Sequence, residues 1–289
     1  MLTRIEYPLN RPAPILSVVV VAWRRDEDLP LCLEAICNQT LNRGDYEIIV
    51  VDNGGNPSAR RRCAHLVDLW YESPTNCGCS GGRNVGARLA RGTFIAFVDD
   101  DGEIERPFLA TALAAIQSSD EIAGVRGKVV YRKHRFMTML AGVYDLGPDR
   151  LPRITLDCEG ASIVRSAMFC AVDGFDERLA GGEGLDWTVR VMLAFPGMRV
   201  AYEPGMVMRH DYVDSPVRYV SKVHMNRRSR ERQSGQLDKF PTLRLPPELG
   251  IMTDLPDRRP LLDRFVCKFG RYVVRATEWI PERDDYRRK

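Results

Sequence analysis

Residues 76–102 read NCGCSGGRNVGARLARGTFIAFVDDDG, and the fold class predicted for the chain depends on this stretch. Its first part combines glycines with Arg83 and Asn84, and it predicts a helix at about residues 81–91 with small residues on one face. Its second part predicts a buried strand over residues 93–98, which runs directly into three aspartates and a glycine. A helix followed by a buried strand is the repeating unit of an α/β sheet.

Upstream segments repeat this alternation. Further strands are predicted over residues 16–22, 46–51 and 66–71, with helical patterns at about residues 31–41 and 60–66. The order predicts a doubly wound, mostly parallel sheet flanked by helices. Ligands bind such sheets beyond the carboxyl ends of the strands. Asp52 and the aspartates at 99–101 follow strands in this way, so we expect a polar site at that edge.

Composition excludes several classes of protein. The 289 residues include 42 Lys and Arg against 39 Asp and Glu, a net charge of +3 that argues against a dedicated nucleic-acid binder. No apolar run is long enough for a membrane-spanning helix. The apolar run at residues 15–23 predicts a buried strand, because it lacks the cleavage site of a signal peptide. The eight cysteines form no CxxC pair and are expected to be reduced, so the predicted location is cytoplasmic.

The aspartates at 99–101 indicate a specific chemistry. Adjacent carboxylates repel one another unless a cation or strong donors compensate them. Oxygen ligands of this kind suit Mg²⁺ or Mn²⁺, whereas the simpler interpretation is a solvated turn. The glycines and Arg83 of the preceding loop favour a bound ligand. The loop is neither a dinucleotide-binding GxGxxG motif nor a phosphate-binding P-loop.

Several segments, in their order along residues 15 to about 230, resemble family 2 glycosyltransferases of the GT-A fold. They are SVVVVAWRR (17–25), YEIIVVDNGG (46–55), the stretch at 76–102, EGASIVRSAMFCAVDGFDERLAGGEGLDWTVRV (159–191) and YEPGMVMRH (202–210). The family pattern has an acidic turn after the second strand, an arginine–asparagine helix, a DxD turn, an acidic ED-type motif and a terminal histidine. Each has a counterpart in this order.

The resemblance implies a set of donor-binding residues. Asp52 matches the acidic residue that contacts the base or ribose, and Arg83 matches an arginine that contacts the base. Asp99 and Asp100 belong to the DxD turn and are expected to bind the nucleotide sugar.

The resemblance also implies a divalent cation, Mn²⁺ or Mg²⁺. Asp101 would hold it on the diphosphate, together with Asp99 and His210. The chemistry explains this set, because cleavage of a sugar–phosphate bond builds negative charge on the leaving diphosphate.

The acidic motif at 182–187 departs from the family pattern. The family usually has Asp directly after Glu, and that Asp is commonly the catalytic base, but this chain has Gly184 there. Glu183 is the nearest substitute and Asp186 lies one helical turn further, although both are also typical of a helix start. Trp187 would stack on the sugar or acceptor, or pack in the core, and Trp23 is open to the same two interpretations.

The expected function is that of a metal-dependent hexosyltransferase, inverting and using a UDP-linked sugar. Its acceptor would be a sugar, a lipid-linked molecule or a small molecule, and nucleic acid is not an expected partner. Two alternatives remain open at this stage. One is a nucleotidyltransferase, and the other is a non-catalytic protein that binds nucleotide sugars.

The expected domain organisation is a catalytic domain over residues 1–235, followed by a Pro-containing linker and a basic amphipathic helix within residues 236–289. The catalytic domain would comprise a nucleotide-sugar half at about 15–102 and an acceptor half at about 103–235. The C-terminal helix, at about 261–280, would pack on the domain or form a homodimer. Its alternative role is peripheral contact with the inner face of a membrane.

Overall fold

The computed structural model describes residues 4–6, 13–24, 26–55, 57–136, 145–152, 157–179, 181–222, 265–266, 268–269 and 272. The strands are β1 (Arg4–Glu6), β2 (Leu16–Ala22), β3 (Tyr46–Asp52), β4 (Leu69–Glu72), β5 (Phe94–Asp99), β6 (Glu103–Ile104), β7 (Ile122–Val130), β8 (Leu151–Pro152), β9 (Ser162–Arg165) and β10 (Arg199–Arg209). The α-helices are α1 (Asp28–Cys37), α2 (Pro57–Cys63), α3 (Gly78–Leu89), α4 (Phe108–Gln117), α5 (Ser166–Ala171) and α6 (Glu183–Ala194).

The described strands form one sheet in the order β1-β4-β3-β2-β5-β9-β7-β10-β6, with β8 paired to β10. Strands β4, β3, β2 and β5 run parallel to one another, as do β7 and β10. Strand β9 lies antiparallel between β5 and β7 and joins the two parallel groups. The predicted doubly wound, mostly parallel sheet is confirmed, and short antiparallel strands are added in its second half.

Helices cover both faces of the sheet because the central strands are apolar on both sides. Strand β3 is buried at every residue, and β2 is buried at all but one. Val18 and Val20 of β2 belong to the core that contains the buried faces of α1 and α4. Val19 belongs to the opposite core, which contains residues of α3, α5 and α6. This is the pattern expected of strands buried between two helical layers.

Helix α3 approaches β2 closely because two of its four glycines face that strand. A Cβ atom at Gly82 would lie 2.4 Å from Val21 Cγ1, and one at Gly86 would lie 2.3 Å from Val19 Cγ1. The small-residue face predicted for this helix is therefore the face that packs on the sheet. This close approach carries Arg83 to the carboxyl edge of the strands.

Element boundaries differ from the sequence prediction in the third repeat. The strand predicted over residues 66–71 is Leu69–Glu72, and the helix predicted at 60–66 is α2 followed by the 3₁₀-helix Ala64–Leu66. The chain turns into the extended conformation only at Val67, so the strand begins later.

The C-terminal part of the chain lies largely outside the described residues, including the predicted linker and most of the helix at 261–280. Residues 265, 266, 268, 269 and 272 are helical. Within the described part of the chain, no helix is long and apolar enough to cross a membrane. The seven cysteines in that part are free thiols, as expected.

Candidate active site at the carboxyl edge of the sheet

The first two acidic turns meet because their strands flank β2. Ala22 at the end of β2 pairs with Asp52 of β3, and Val21 pairs with Asp99 of β5. The sheet therefore brings together the carboxyl ends of three neighbouring parallel strands. This is the edge at which the sequence predicts a polar site.

Each aspartate of the 99–101 turn has a different partner. Asp99 Oδ1 accepts a hydrogen bond of 2.7 Å from Arg83 Nη2. Asp100 Oδ2 accepts one of 3.1 Å from the backbone N–H of Trp23. Asp101 Oδ1 lies 3.1 Å from His210 Nε2. These separate partners compensate the repulsion between adjacent carboxylates.

His210 reaches Asp101 from the end of β10. Its backbone N–H donates to Val130 O of β7 at 2.9 Å, which fixes the chain where the two strands end. Burial alone would lower the pKa of His210, but its hydrogen bond to Asp101 and the charges of Asp99 and Asp101 raise it overall. The predicted metal ligands Asp101 and His210 are therefore adjacent, although they lie far apart in sequence.

Arg83 is a buried cation between two acidic groups. Its Nη2 binds Asp99, and its Nη1 lies 3.6 Å from Glu183 Oε1. Among the described residues, Nη1 has no hydrogen-bond partner. The sequence predicts contact between Arg83 and a nucleotide base, and that role stays a prediction. In the structure its side chain connects the DxD turn to the acidic motif of α6.

Glu183 is the first residue of α6, after Gly182 in the left-handed conformation (φ 81°). The carboxylate is buried, and its Oε2 accepts a 2.9 Å hydrogen bond from the backbone N–H of Gly181. Burial and the charge of Glu159 raise the pKa of Glu183 to about 7, while Arg83 acts in the opposite direction. A carboxylate with such a pKa is suited to general-base chemistry near neutral pH.

Two further carboxyl groups approach the start of α6, those of Asp157 and Glu159, for which no role was predicted from the sequence. Burial, the charge of Glu159 and a hydrogen bond to Glu159 raise the pKa of Asp157. A Cβ atom at Gly184 would lie 2.4 Å from Asp157 Oδ1, so this carboxylate takes the space that a side chain at 184 would need. In the sequence, these two residues form a D-x-E pair just before β9, the strand that ends at Arg165, and this pair could have indicated them.

Asp186 is engaged by an arginine of its own helix. Its carboxylate is buried and pairs with Arg190 Nε at 2.7 Å, one turn along α6. Arg190 in turn donates to the carbonyls of Val172 and Gly174. Asp186 thus helps to hold α6 against the loop after α5, and its predicted catalytic use stays a prediction.

Trp187 lies in the core rather than at a ligand. Its side chain is fully buried, with its ring centroid 5.9 Å from that of Phe169 and its edge against Gly124. The predicted stacking on a sugar or acceptor is wrong for this residue, and core packing is correct. Trp23, just past the carboxyl end of β2, is accessible, with 44% of its surface exposed.

The turn after β3 is braced against the loop before α3. Asn53 Oδ1 accepts from the backbone N–H of Cys77 at 2.9 Å, and Asn53 Nδ2 donates to Gly78 O at 2.8 Å. Asp52 itself is only 1% exposed, so its predicted contact with a nucleotide stays a prediction. Asn84, next to Arg83, binds the backbone of Phe175 through both its amide oxygen and its amide nitrogen.

The donor atoms at this edge suit a divalent cation only in part. Asp101 and His210 offer one carboxylate and one imidazole, both of which Mn²⁺ accepts, whereas Asp99 is engaged by Arg83. Within the described ranges, no group of three His, Cys, Asp or Glu residues is close enough together to hold a metal ion. Such cations are commonly held by one or two protein ligands together with substrate phosphates, and the pair fits that arrangement.

The sequence profile of the family described as "Glycosyl transferase family 2" matches residues 17–167, slightly more than half of the chain. The chain belongs to glycosyltransferase family 2. Asp52, Arg83 and the DxD turn of this glycosyltransferase lie within the matched residues. Glu183 and His210 lie beyond them, so the structure alone places these two residues at the same edge of the sheet.

Named relatives of this glycosyltransferase share its sequence over part of their length. A PGL/p-HBAD biosynthesis glycosyltransferase of Mycobacterium bovis is 29% identical over 185 residues, covering 62% of this chain and 70% of that protein. Glycosyltransferase AglE of Haloferax volcanii is 25% identical over 112 residues, covering 37% of this chain and 36% of that protein.

Solved structures show the same fold. S. aureus TarS 1–349 in complex with UDP superposes with a TM-score of 0.55 at 20% identity, over 74% of this chain. This chain spans 64% of that TarS chain, a little less than two thirds. The mannosyltransferase PcManGT from Pyrobaculum calidifontis, in complex with GDP-Man and Mn²⁺, has a TM-score of 0.58 at 16% identity, covering 97% of this chain and 81% of that one. The GT-A fold expected for this family 2 glycosyltransferase is confirmed.

Proposed function

We propose that this enzyme transfers a sugar from a nucleoside diphosphate donor, most simply a UDP-sugar, to an acceptor hydroxyl with inversion. The observation that carries the proposal is the position of Arg83 between Asp99 of the DxD turn and Glu183 of α6. A single buried cation thus connects the group expected at the donor with the group expected at the acceptor. The solved relatives bound to UDP and to GDP-Man support a nucleotide-linked donor.

In the proposed reaction, Glu183 accepts the proton of the acceptor hydroxyl. The acceptor oxygen forms a bond to the anomeric carbon as the bond between that carbon and the diphosphate oxygen breaks, and the nucleoside diphosphate leaves with the electron pair. Attack opposite the leaving group inverts the configuration. Arg83 holds the Glu183 carboxylate in place, and burial at the start of α6 keeps water away from it.

Asp101 and His210 are the residues that would hold a divalent cation. When bound, that cation would neutralise the charge that develops on the departing diphosphate. The Mn²⁺ in the complex of the mannosyltransferase PcManGT supports manganese as the first ion to test. Trp23, exposed beside Asp100, is positioned to stack on the base of the nucleotide.

The test is titration calorimetry of the purified chain with UDP, GDP and dTDP, with and without Mn²⁺. We expect one nucleoside diphosphate to bind at least about tenfold more tightly with the metal present. Asp101→Ala should remove this increment, because it deletes one of the two protein ligands. Asp120→Ala is the matched control, since that carboxylate is fully exposed before β7, at the other end of the strand from His210. Absence of binding by all three nucleotides in Mn²⁺ would overturn the proposal.

The same samples distinguish transfer from the alternatives. Slow release of UDP from a UDP-sugar without acceptor would show a competent donor site and exclude a protein that only binds the donor. Release of pyrophosphate from a nucleoside triphosphate would support a nucleotidyltransferase instead.

A further inference from the structure

Three aromatic side chains form an exposed stripe on the C-terminal helical segment. Phe265, Phe269 and Tyr272 are 69%, 51% and 69% exposed. All three are helical, and their spacing of four and then three residues places them on one face of the helix. Val266 is buried and packs against Tyr219. The segment is thus anchored by one side and presents aromatic rings on another.

The charge of this segment is positive on balance. Residues 261–280 contain four basic residues, Arg264, Lys268, Arg271 and Arg275, and two acidic ones, Asp263 and Glu278, one near each end. Lys268 is exposed, like the aromatic residues on either side of it. Aromatic residues combined with lysine and arginine are the composition of helices that lie in the interface of anionic bilayers.

The aromatic stripe is anchored next to the candidate active site. The cluster that receives Val266 includes Tyr212 and Val213, which follow His210 directly along the chain. A second segment with the same character leaves the neighbouring strand β7 after Val130, the residue whose carbonyl binds the His210 N–H. Its exposed aromatic and basic residues are Tyr131, Lys133, Arg135 and Phe136, whereas Arg132 is paired with Asp28 and Glu103.

A second copy of the chain is a poor occupant for this face. Most homodimers are two-fold symmetric and place the same patch on both sides of the interface. Such a contact would bring four basic residues against four identical ones, with only Asp263 and Glu278, near the ends of the segment, to compensate them. An anionic surface provides the missing charge.

We propose that the aromatic stripe of Phe265, Phe269 and Tyr272 lies on the surface of an anionic lipid bilayer. The rings enter the boundary between headgroups and acyl chains, and the basic residues contact the headgroup phosphates. This contact holds the carboxyl edge of the sheet close to the bilayer. The acceptor is then a molecule carried by the bilayer, an assignment that rests on the proposed function, whereas the contact itself does not.

The test is flotation of the full chain with vesicles of phosphatidylcholine, with and without phosphatidylglycerol. We expect the anionic vesicles to bind the chain at least about tenfold more strongly, with binding reduced by added salt. The variant Phe265→Ser/Phe269→Ser/Tyr272→Ser should lose most of this binding. Leu193→Ser is the matched control because Leu193, on α6, is 50% exposed and lies outside the stripe.

Nucleotide titration of the same variants separates the possible failures. Loss of vesicle binding with intact nucleotide binding shows that the triple variant is folded and that the stripe forms the contact. Equal vesicle binding by the triple variant and the wild-type chain overturns the proposal, as does absence of binding by the wild-type chain. A dimer in analytical ultracentrifugation that the triple variant abolishes assigns the stripe to a second copy instead. Vesicle binding by a chain that binds no nucleotide contradicts only the proposed function.

Discussion

At the scale of single residues, Arg83 connects two groups to which the proposed function gives different roles. Its guanidinium binds Asp99 and approaches Glu183, which lie on strand β5 and helix α6. A buried arginine remains protonated, so it stabilises whichever neighbour is ionised. In the proposed reaction, release of a proton from Glu183 and binding of a donor near Asp99 would therefore be coupled through one side chain.

Replacement of Glu183 by glutamine tests its role as base. We expect Glu183→Gln to lower kcat by about two to four orders of magnitude and to leave donor binding nearly unchanged, because only proton transfer is lost. In the wild-type chain the rate should rise with pH through about 7, since burial raises the pKa of this carboxyl to that value and only the ionised form accepts a proton. Asp186→Asn is the control, expected to lower the melting temperature rather than kcat.

Ionisation of the Glu183 carboxyl should increase activity but decrease the stability of the folded chain. Its pKa is raised in the folded chain from the ordinary value of 4.5 to about 7, so the folded state binds the proton more tightly than the unfolded state does. Its contribution to stability is complete below pH 4.5 and is lost as the pH rises through 7. Denaturant unfolding should therefore show Glu183→Gln gaining stability relative to wild type between pH 5 and 8, on the order of a few kcal/mol at most.

Restoring the usual family residue at position 184 should fail. A side chain at Gly184 would start 2.4 Å from Asp157 Oδ1 and 2.7 Å from the backbone nitrogen of Cys158. We expect Gly184→Ala and Gly184→Asp to lower the free energy of unfolding by about 1–3 kcal/mol or more, with the aspartate worse because it faces another carboxylate. Gly44→Ala, where the nearest atom is 3.5 Å away, should be nearly neutral in the same measurement. A stable and more active Gly184→Asp variant would contradict this account.

At the scale of elements, the packing of α3 on β2 determines where Arg83 lies. Glycine usually weakens a helix, and its replacement by alanine in an open position stabilises by up to about 1 kcal/mol. Gly82 and Gly86 face valine side chains of β2 at distances that leave no room for a methyl group. The two glycines therefore lower the helix propensity of α3 but allow it to pack close to the sheet.

Substitution at Gly86 should reverse the usual sign of a glycine-to-alanine change. We expect Gly86→Ala to destabilise the fold by about 1–3 kcal/mol, because the new methyl group would lie 2.3 Å from Val19 Cγ1. Arg88→Ala, on the exposed side of the same helix, should have little effect. Thermal unfolding measures both, and Val19→Ala combined with Gly86→Ala should recover part of the loss. If Gly86→Ala left the stability unchanged, α3 would be able to move away from the sheet without loss of stability, contrary to this prediction.

Patterns among neighbouring residues predicted the strands and helices that such patterns are enough to define. Strands β2, β3 and β5 are mostly apolar runs, β3 and β5 end in acidic turns, and the glycines of α3 lie beside Arg83 in the sequence. Helix α6 shows the limit of such patterns. It is buried on several sides, so the spacing of Glu183, Asp186 and Trp187 could not show which of them faces a ligand.

At the scale of the whole molecule, the features that the sequence did not predict are contacts between distant segments. Strand β9 is four residues long, and its pairing with β5 and β7 depends on the sheet rather than on its own pattern. The approach of Asp157 and Glu159 to the start of α6, and of Arg83 to Glu183, has the same origin. Contacts of this kind join segments that are far apart in the sequence and require the closure of long loops. A pattern among neighbouring residues gives no information about them.

The position of β9 has a consequence for how the chain is made. Strand β5 has only β2 beside it until Ser162–Arg165 emerge from the ribosome, because its other neighbour is β9. Chains fold from the N-terminus during synthesis, so the parallel group β4-β3-β2-β5 can assemble early. While residues 100–161 are being synthesised, the side of β5 that will pair with β9 is an open sheet edge. Such an edge can pair with other nascent chains. The yield of soluble protein should therefore depend on how soon the four-residue strand β9 is synthesised and pairs with β5.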